Sequence, residues 1–217
     1  CPSALMPKGS RIQKPTIRKI LIEARRSERA PKSRMDMYSR VIWKRSARVR
    51  SQLRYGWKFL ETFDDHTLVD RGHHAVSIRA EMKAGFFESP IAVKLTNGLS
   101  DIGEIKLGFK EKEVVVEAVQ GLSRNLEFID ETSRELGEPW PNALLKVIES
   151  HAKKTGYSTV RIRKAETLYY YRLPLTGKKD KEKAVRGIRW DMRNFYSKVA
   201  KGAGYTEEAR YYVKHLK

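Results

Sequence analysis

Val114-Val-Val-Glu-Ala-Val-Gln-Gly121 decides how the rest of the chain is read. From Val114 to Val119 every residue is apolar except Glu117, so both faces of an extended chain are apolar there. Such a strand belongs in the middle of a sheet, covered on both sides. Just upstream, Ile105, Leu107 and Phe109 alternate with Lys106 and Gly108, and Lys110-Glu-Lys112 is a short polar link. The two strands therefore read as a hairpin. Ile91-Ala-Val-Lys-Leu95 is a further strand, ended by Asn97-Gly98, a pair in which both residues accept positive φ. Before it, residues 74–83 alternate without a break. Val76, Ile78, Ala80 and Met82 are apolar, and Ser77, Arg79, Glu81 and Lys83 are polar, the pattern of a half-buried strand. Gly85 marks the turn between these two strands.

Downstream of Gly121 the period changes. Residues 122–138 are polar, with a short helix expected at residues 128–136. Pro139-Trp-Pro141 is a stiff corner, and Pro141 suits the first turn of a helix, where its missing N–H is not needed. That helix is expected over residues 142–155, with Leu144, Leu145, Ile148 and Ala152 inward and His151 exposed, and Gly156 stops it. Residues 157–163 read as a strand with Val160 and Ile162 inward, and residues 168–172 as one more extended piece. A Pro/Gly/Lys-rich loop is expected from Leu173 to Lys183. A helix at residues 188–200 ends at Gly202 and Gly204, and Tyr211-Tyr-Val-Lys214 is the last strand. The fold class is therefore α/β, a mixed and mostly antiparallel sheet with flanking helices.

The charge is unevenly spread. The 217 residues carry a formal net charge of +19. From Lys8 to Lys58 there are 17 basic residues against Glu23, Glu28 and Asp36, a net +14. This divides the chain into a basic N-terminal arm, residues 1–60, and a nearly balanced α/β domain, residues 61–217. The arm reads as two amphipathic helices. In the first, Thr16 is a cap and Ile17, Ile20, Leu21 and Ala24 recur on one side, opposite Arg18, Lys19, Glu23, Arg25 and Arg26. After Pro31 the second runs over residues 34–60 with Tyr38, Val41, Ile42, Val49, Leu53, Trp57 and Leu60 as its stripe. Lys44, Arg45 and Arg48 are among its cations, and Gly56 weakens its end. A smaller cluster is Lys178, Lys179, Lys181, Lys183, Arg186 and Arg189. Clustered cations of this density attract a polyanion, RNA or DNA above all, because phosphate contacts release counterions. Tyr38, Trp43, Tyr55 and Trp57 stand either as stacking platforms or as core. A basic amphipathic helix also suits an anionic membrane surface.

Composition excludes other classes. Hydrophobic residues are 40% of the chain, enough for a core, and no apolar run approaches the ~20 residues of a membrane span. Cys1 is the lone cysteine, so no internal disulfide and no cysteine metal cluster can form. The chain begins at Cys1 without an initiator Met, as a fragment or processed product would, and lacks a signal-peptide pattern. A reducing, cytoplasmic compartment is the expectation. His66, His73 and His74 lie near Asp64, Asp65 and Asp70, but neighbouring residues on a strand point to opposite faces, so no metal site is expected. No G-x-S-x-G, P-loop, dinucleotide fingerprint, zinc-finger spacing or RNA-recognition motif is present.

Residues 114–217 resemble the second half of a GCN5-related N-acetyltransferase. The order is a buried central strand, a helix leading to Gly156, a strand, a helix ending at Gly204 and a final strand. Phe195-Tyr-Ser-Lys-Val-Ala-Lys-Gly-Ala-Gly-Tyr205 looks like the late helix of that superfamily, with a tyrosine followed by a Gly–aromatic step. The resemblance implies acetyl-CoA or another acyl-CoA as cofactor, an amine as acceptor, and Tyr196 as the acid that protonates the departing thiolate. It implies coenzyme contacts at Gln120 and Gly121 and at Asn142 and Ala143, the start of the pyrophosphate helix. The family's loop reads Gln/Arg-x-x-Gly-x-Gly/Ala, whereas here Gln120-Gly121 is followed by a long insertion and Pro139-Trp-Pro141. The pattern of strand, Gln-Gly, polar insert, proline and helix also resembles the VirK-type bacterial family.

Two further readings concern single residues. Glu117, the one carboxylate in the apolar run, is either the base for the amine or the partner of a Lys or Arg across the sheet. Tyr169-Tyr-Tyr171 and Tyr211-Tyr212 are either base-stacking residues or ordinary strand aromatics. The expected function is an acyl-CoA-dependent N-acyltransferase acting on or near nucleic acid or a ribonucleoprotein. The alternative is a nucleic-acid-binding protein of the same fold without catalysis.

Overall fold

A hairpin ladder organises the computed structural model, which describes residues 47–70, 75–82, 89, 91–123, 125–168, 171 and 179–217. These belong to the unit Arg45–Lys217. The order is α1 (Ala47–Glu61), β1 (His66–Asp70), β2 (Ala75–Met82), β3 (Ile91–Asn97), β4 (Ser100–Phe109), β5 (Glu113–Gly121), α2 (Leu126–Leu136) and α3 (Trp140–Lys154). Then follow β6 (Thr159–Arg163), a 3-10 turn (Ala165–Thr167), α4 (Lys179–Gly202), β7 (Thr206–Glu207) and β8 (Tyr211–His215). The eight strands form one sheet in the order β1-β2-β3-β4-β5-β6-β8-β7. All neighbours are antiparallel except β5 and β6. The fold is α/β with a mostly antiparallel sheet, and β5 sits inside it.

The pattern of β5 has a geometric origin. The ladder with β4 runs Lys106↔Ala118 and then Leu107↔Val116, so Glu117 is the extra residue of a β-bulge. A bulge resets the alternation of faces. Val114, Val116 and Val119 are therefore all buried in one core with Ile105, Leu107, Val160 and Ile162. The reverse turn at Asn97-Gly98 is also specific. Gly98 has φ +59, while no non-glycine residue among those described has positive φ. Asn97 stays in the strand, buried, and its Nδ2 donates to Thr132 Oγ1 at 2.9 Å, which ties the hairpin to α2.

Helix α3 packs on β3 and β4 through Leu144, Leu145, Ile148 and Ala152. It begins two residues before the expected start, and its Trp140 ring lies on Gly103, where a Cβ would meet it at 2.5 Å. His151 is buried, against the expectation of exposure. Its Nε2 bonds Phe59 O at 2.8 Å, and its ring stands edge-on between Phe59 and Phe63. The helix surface next to Ala152 is covered by α1, a contact that the period of α3 alone does not reveal.

Of the expected α1 stripe, Leu60 is buried and Trp57 half-buried, while the side chains of Tyr38, Val41, Ile42, Val49 and Leu53 lie outside the described ones. Gln52, Gly56 and Phe59 are buried as well. Gly56 lies within the last turns of the helix, against Phe109, whose ring is 2.4 Å from where a Cβ would sit. Phe59 and Leu60, in the stretch assigned to the arm, are in the same core cluster as the sheet. The first expected arm helix lies outside the described residues. Helix α4 starts at Lys179, inside the stretch expected to be loop. Of the extended piece expected at residues 168–172, Leu168 is extended (φ −74, ψ 145), Tyr171 is helical, and residues 169, 170 and 172 lie outside the described residues.

Candidate functional site

The two parallel strands part company near the middle of β5. They pair over Glu113↔Thr159 to Val116↔Ile162, after which β6 ends at Arg163 while β5 runs on to Gly121. A fork of this kind leaves main-chain groups of β5 without a strand partner on that side, and buried N–H groups need one. Tyr196 supplies it. Its hydroxyl oxygen accepts the Val119 N–H at 2.9 Å. Tyr196 is 4% exposed and reaches the fork from α4, whose inward side also carries Val199 and Ala200. Burial holds the phenol above its ordinary value, against the pull of Val119 N–H and of the Arg163 charge. It is therefore neutral at pH 7, and its own proton remains available for donation.

Glu117 is brought to the same place by the bulge. Its Oε2 accepts from Arg163 Nη1 at 2.7 Å, and the carboxylate is almost fully buried. Of the two sequence readings of Glu117, the cross-sheet partner is the one seen here. The carboxylate is thus already engaged by a cation on the neighbouring strand. Gly108 lies beneath it, with room for no Cβ between Glu117 and Gln52. Next to Glu117 is a cleft of about 240 Å³ lined by Ser51, Gln52, Phe109, Lys110, Val115 and Tyr211.

The expected coenzyme residues are arranged differently. Gln120 and Gly121 are exposed at the end of β5, and Gln120 Oε1 accepts from Lys106 Nζ at 3.2 Å. Asn142 and Ala143 are buried in the first turn of α3. A pyrophosphate at a helix start needs free N–H groups. Here Trp140 N donates to Ser133 Oγ, Pro141 has none, and Asn142 and Ala143 N–H both donate to Pro139 O at 2.9 and 3.3 Å. Helix α2, inserted between β5 and α3, supplies Ser133. The residues present do not fit an acyl-CoA pyrophosphate at this helix.

The remaining candidates fall in three groups. Arg18, Arg25, Arg26, Lys44, Arg45 and Lys178 lie outside the described residues. Arg48 and Lys179 are in the backbone of α1 and α4. Of the tyrosines, Tyr212 is buried, Tyr211 lies under Arg161, and Tyr171 lies under Arg189. Among the described residues no three potential metal ligands gather, and His66 stacks edge-on against Phe63.

Sequence reasoning missed Arg163 as the partner of Glu117, although its place on the polar side of β6 was visible. It also missed Trp190, which is 66% exposed on α4. No helix among the described residues is long and apolar enough to cross a membrane. No protein-family model matches the chain, and neither the curated proteins nor the solved structures contain a match to it.

Proposed function

We propose that this chain is a non-catalytic nucleic-acid-binding protein built on an acyltransferase-like sheet. The observation that carries the reading is the charge distribution, a net +14 of the total +19 within residues 8–58. Such a density is costly to hold together without a polyanion and gains free energy by releasing its counterions. The consumed N–H groups at the start of α3 and the Glu117–Arg163 pair weigh against the catalytic alternative.

The test is a binding titration of the full chain against labelled RNA and DNA at several salt concentrations. The expected result is an affinity that falls linearly on a log–log plot against salt. Absence of binding to both nucleic acids at low salt overturns the reading. A second reading, N-acyl transfer from acetyl-CoA or another acyl-CoA to an amine, is favoured by Tyr196, a neutral phenol fixed in the fork. Calorimetry with acetyl-CoA separates the two. No heat is expected, and micromolar binding would restore the enzyme reading.

A further inference from the structure

We infer that α4 is the docking surface for a single-stranded nucleic acid, with Trp190 as its base-stacking platform. The inference rests on the binding reading above and assigns it a site outside the charge-dense residues 8–58 of the sequence. Only residues 189–202 of α4 have described side chains. Tyr196, Val199 and Ala200 are buried, while Trp190, Arg193, Lys198 and Lys201 are exposed. Along its 24 residues, positions Lys179, Lys183, Arg186, Trp190, Arg193 and Lys201 recur at helical spacing and share one face. The acids of the helix, Asp180, Glu182 and Asp191, fall beside that line. Arg193 Nε is held by Glu166, and its side chain remains 62% exposed.

Tryptophan is highly buried on average, so one that is two-thirds exposed between cations calls for a partner. A cationic track interrupted by an aromatic face suits a single strand, whose phosphates follow the charges and whose unpaired bases stack. A duplex keeps its bases stacked inside and gives Trp190 nothing to cover. A membrane surface needs a continuous apolar side, and the side of α4 that carries Trp190 is a line of cations.

Fluorescence anisotropy of the full chain with a labelled single-stranded RNA and a duplex of the same length tests this. Trp190→Ala is expected to weaken single-strand binding about tenfold, leaving the salt slope and duplex affinity unchanged. Lys183→Gln with Arg186→Gln is expected to lower the salt slope by about 0.7 for each phosphate no longer neutralised. Circular dichroism should be unchanged in both variants. If the wild-type chain binds with a salt slope and neither variant alters its binding, the α4 site is overturned while the nucleic-acid-binding reading stands. If the wild-type chain binds no nucleic acid, both fail. If the full chain shows a tryptophan emission shift on phosphatidylserine vesicles and not on RNA, and Trp190→Ala abolishes that shift, the surface is a membrane contact and the inference is overturned.

Discussion

Helices α1 and α4 are both basic and amphipathic and each carries a partly exposed ring, Tyr55 at 38% and Phe195 at 37%, yet they differ in their extreme aromatics. In α1, Phe59 is fully buried and touches Phe63, Phe109, His151 and Tyr157. In α4, Tyr196 is inward and Trp190 is left in solvent. The difference teaches that cationic composition alone does not mark a binding surface. On the proposed reading, the mark is a largely exposed aromatic, Trp190. The comparison breaks most plainly at Phe59. Phe59→Ala is expected to cost about 3–5 kcal/mol of stability in urea unfolding, since the surrounding rings cannot collapse into the space. Trp190→Ala is expected to stay within about 0.5 kcal/mol. Equal effects at the two sites would mean that Trp190 is packed after all.

A second substitution sharpens the reading of α1. Gly56→Ala raises helix propensity by about 1 kcal/mol. It also places a methyl group 2.4 Å from the buried Phe109 ring. Overpacking of that kind costs about 1–3 kcal/mol. The steric effect wins, and net destabilisation of about 1 kcal/mol is expected in the same unfolding assay. A stabilised variant would show that α1 stands further from β4 than the Gly56–Phe109 approach requires.

These two helices also show how much the sequence makes legible. The strands β2 to β5 and their hairpins are readable because alternation is local, and the corner before α3 is readable because proline acts locally. The site is less so. The burial of Gly56 depends on Phe109, about fifty residues away, and the burial of His151 depends on Phe59. Neither contact leaves a local period. The start of α4 reads as loop because its lysine-rich first turns carry almost no apolar rhythm. Glu117 is legible as unusual, and its two readings are both visible, but only the bulge and the end of β6 decide that Arg163 meets it. Trp190 is illegible as a surface residue because exposure is a property of the packed helix.

The inward side of α4 gives a smaller effect. Tyr196→Phe removes the acceptor of the Val119 N–H and leaves that donor buried. A cost of about 1–2 kcal/mol is expected, with nucleic-acid affinity unchanged. Loss of an acyl-transfer activity in the same variant would favour the enzyme reading, whereas a stability loss alone fits the phenol as a plug of the fork.

The smallest effect expected is a pH dependence, and it belongs to α1. His151 Nε2–H donates to Phe59 O and, more weakly, towards Thr62 Oγ1, whose own proton goes to Lys58 O. A new proton must therefore go on Nδ1, inside the ring cluster. Burial lowers the His151 value first of all, and the Phe59 carbonyl opposes that. Nearby His66 and Lys154 lower it further, and Asp64 raises it. The unfolded chain takes up its proton near pH 6.5, while the folded chain resists it until lower pH. The contribution of His151 is thus fully present above about pH 6.5 and is lost as pH falls through the folded value. Urea midpoints at about pH 7.5 and about pH 5 should differ more in the wild-type chain than in His151→Gln, which keeps an N–H donor and does not titrate. Nothing comparable is expected on the Trp190 side of α4, where no histidine is present. An unchanged pH dependence in His151→Gln would place the acid sensitivity elsewhere and leave the packing of Phe59 as what holds α1 against α3.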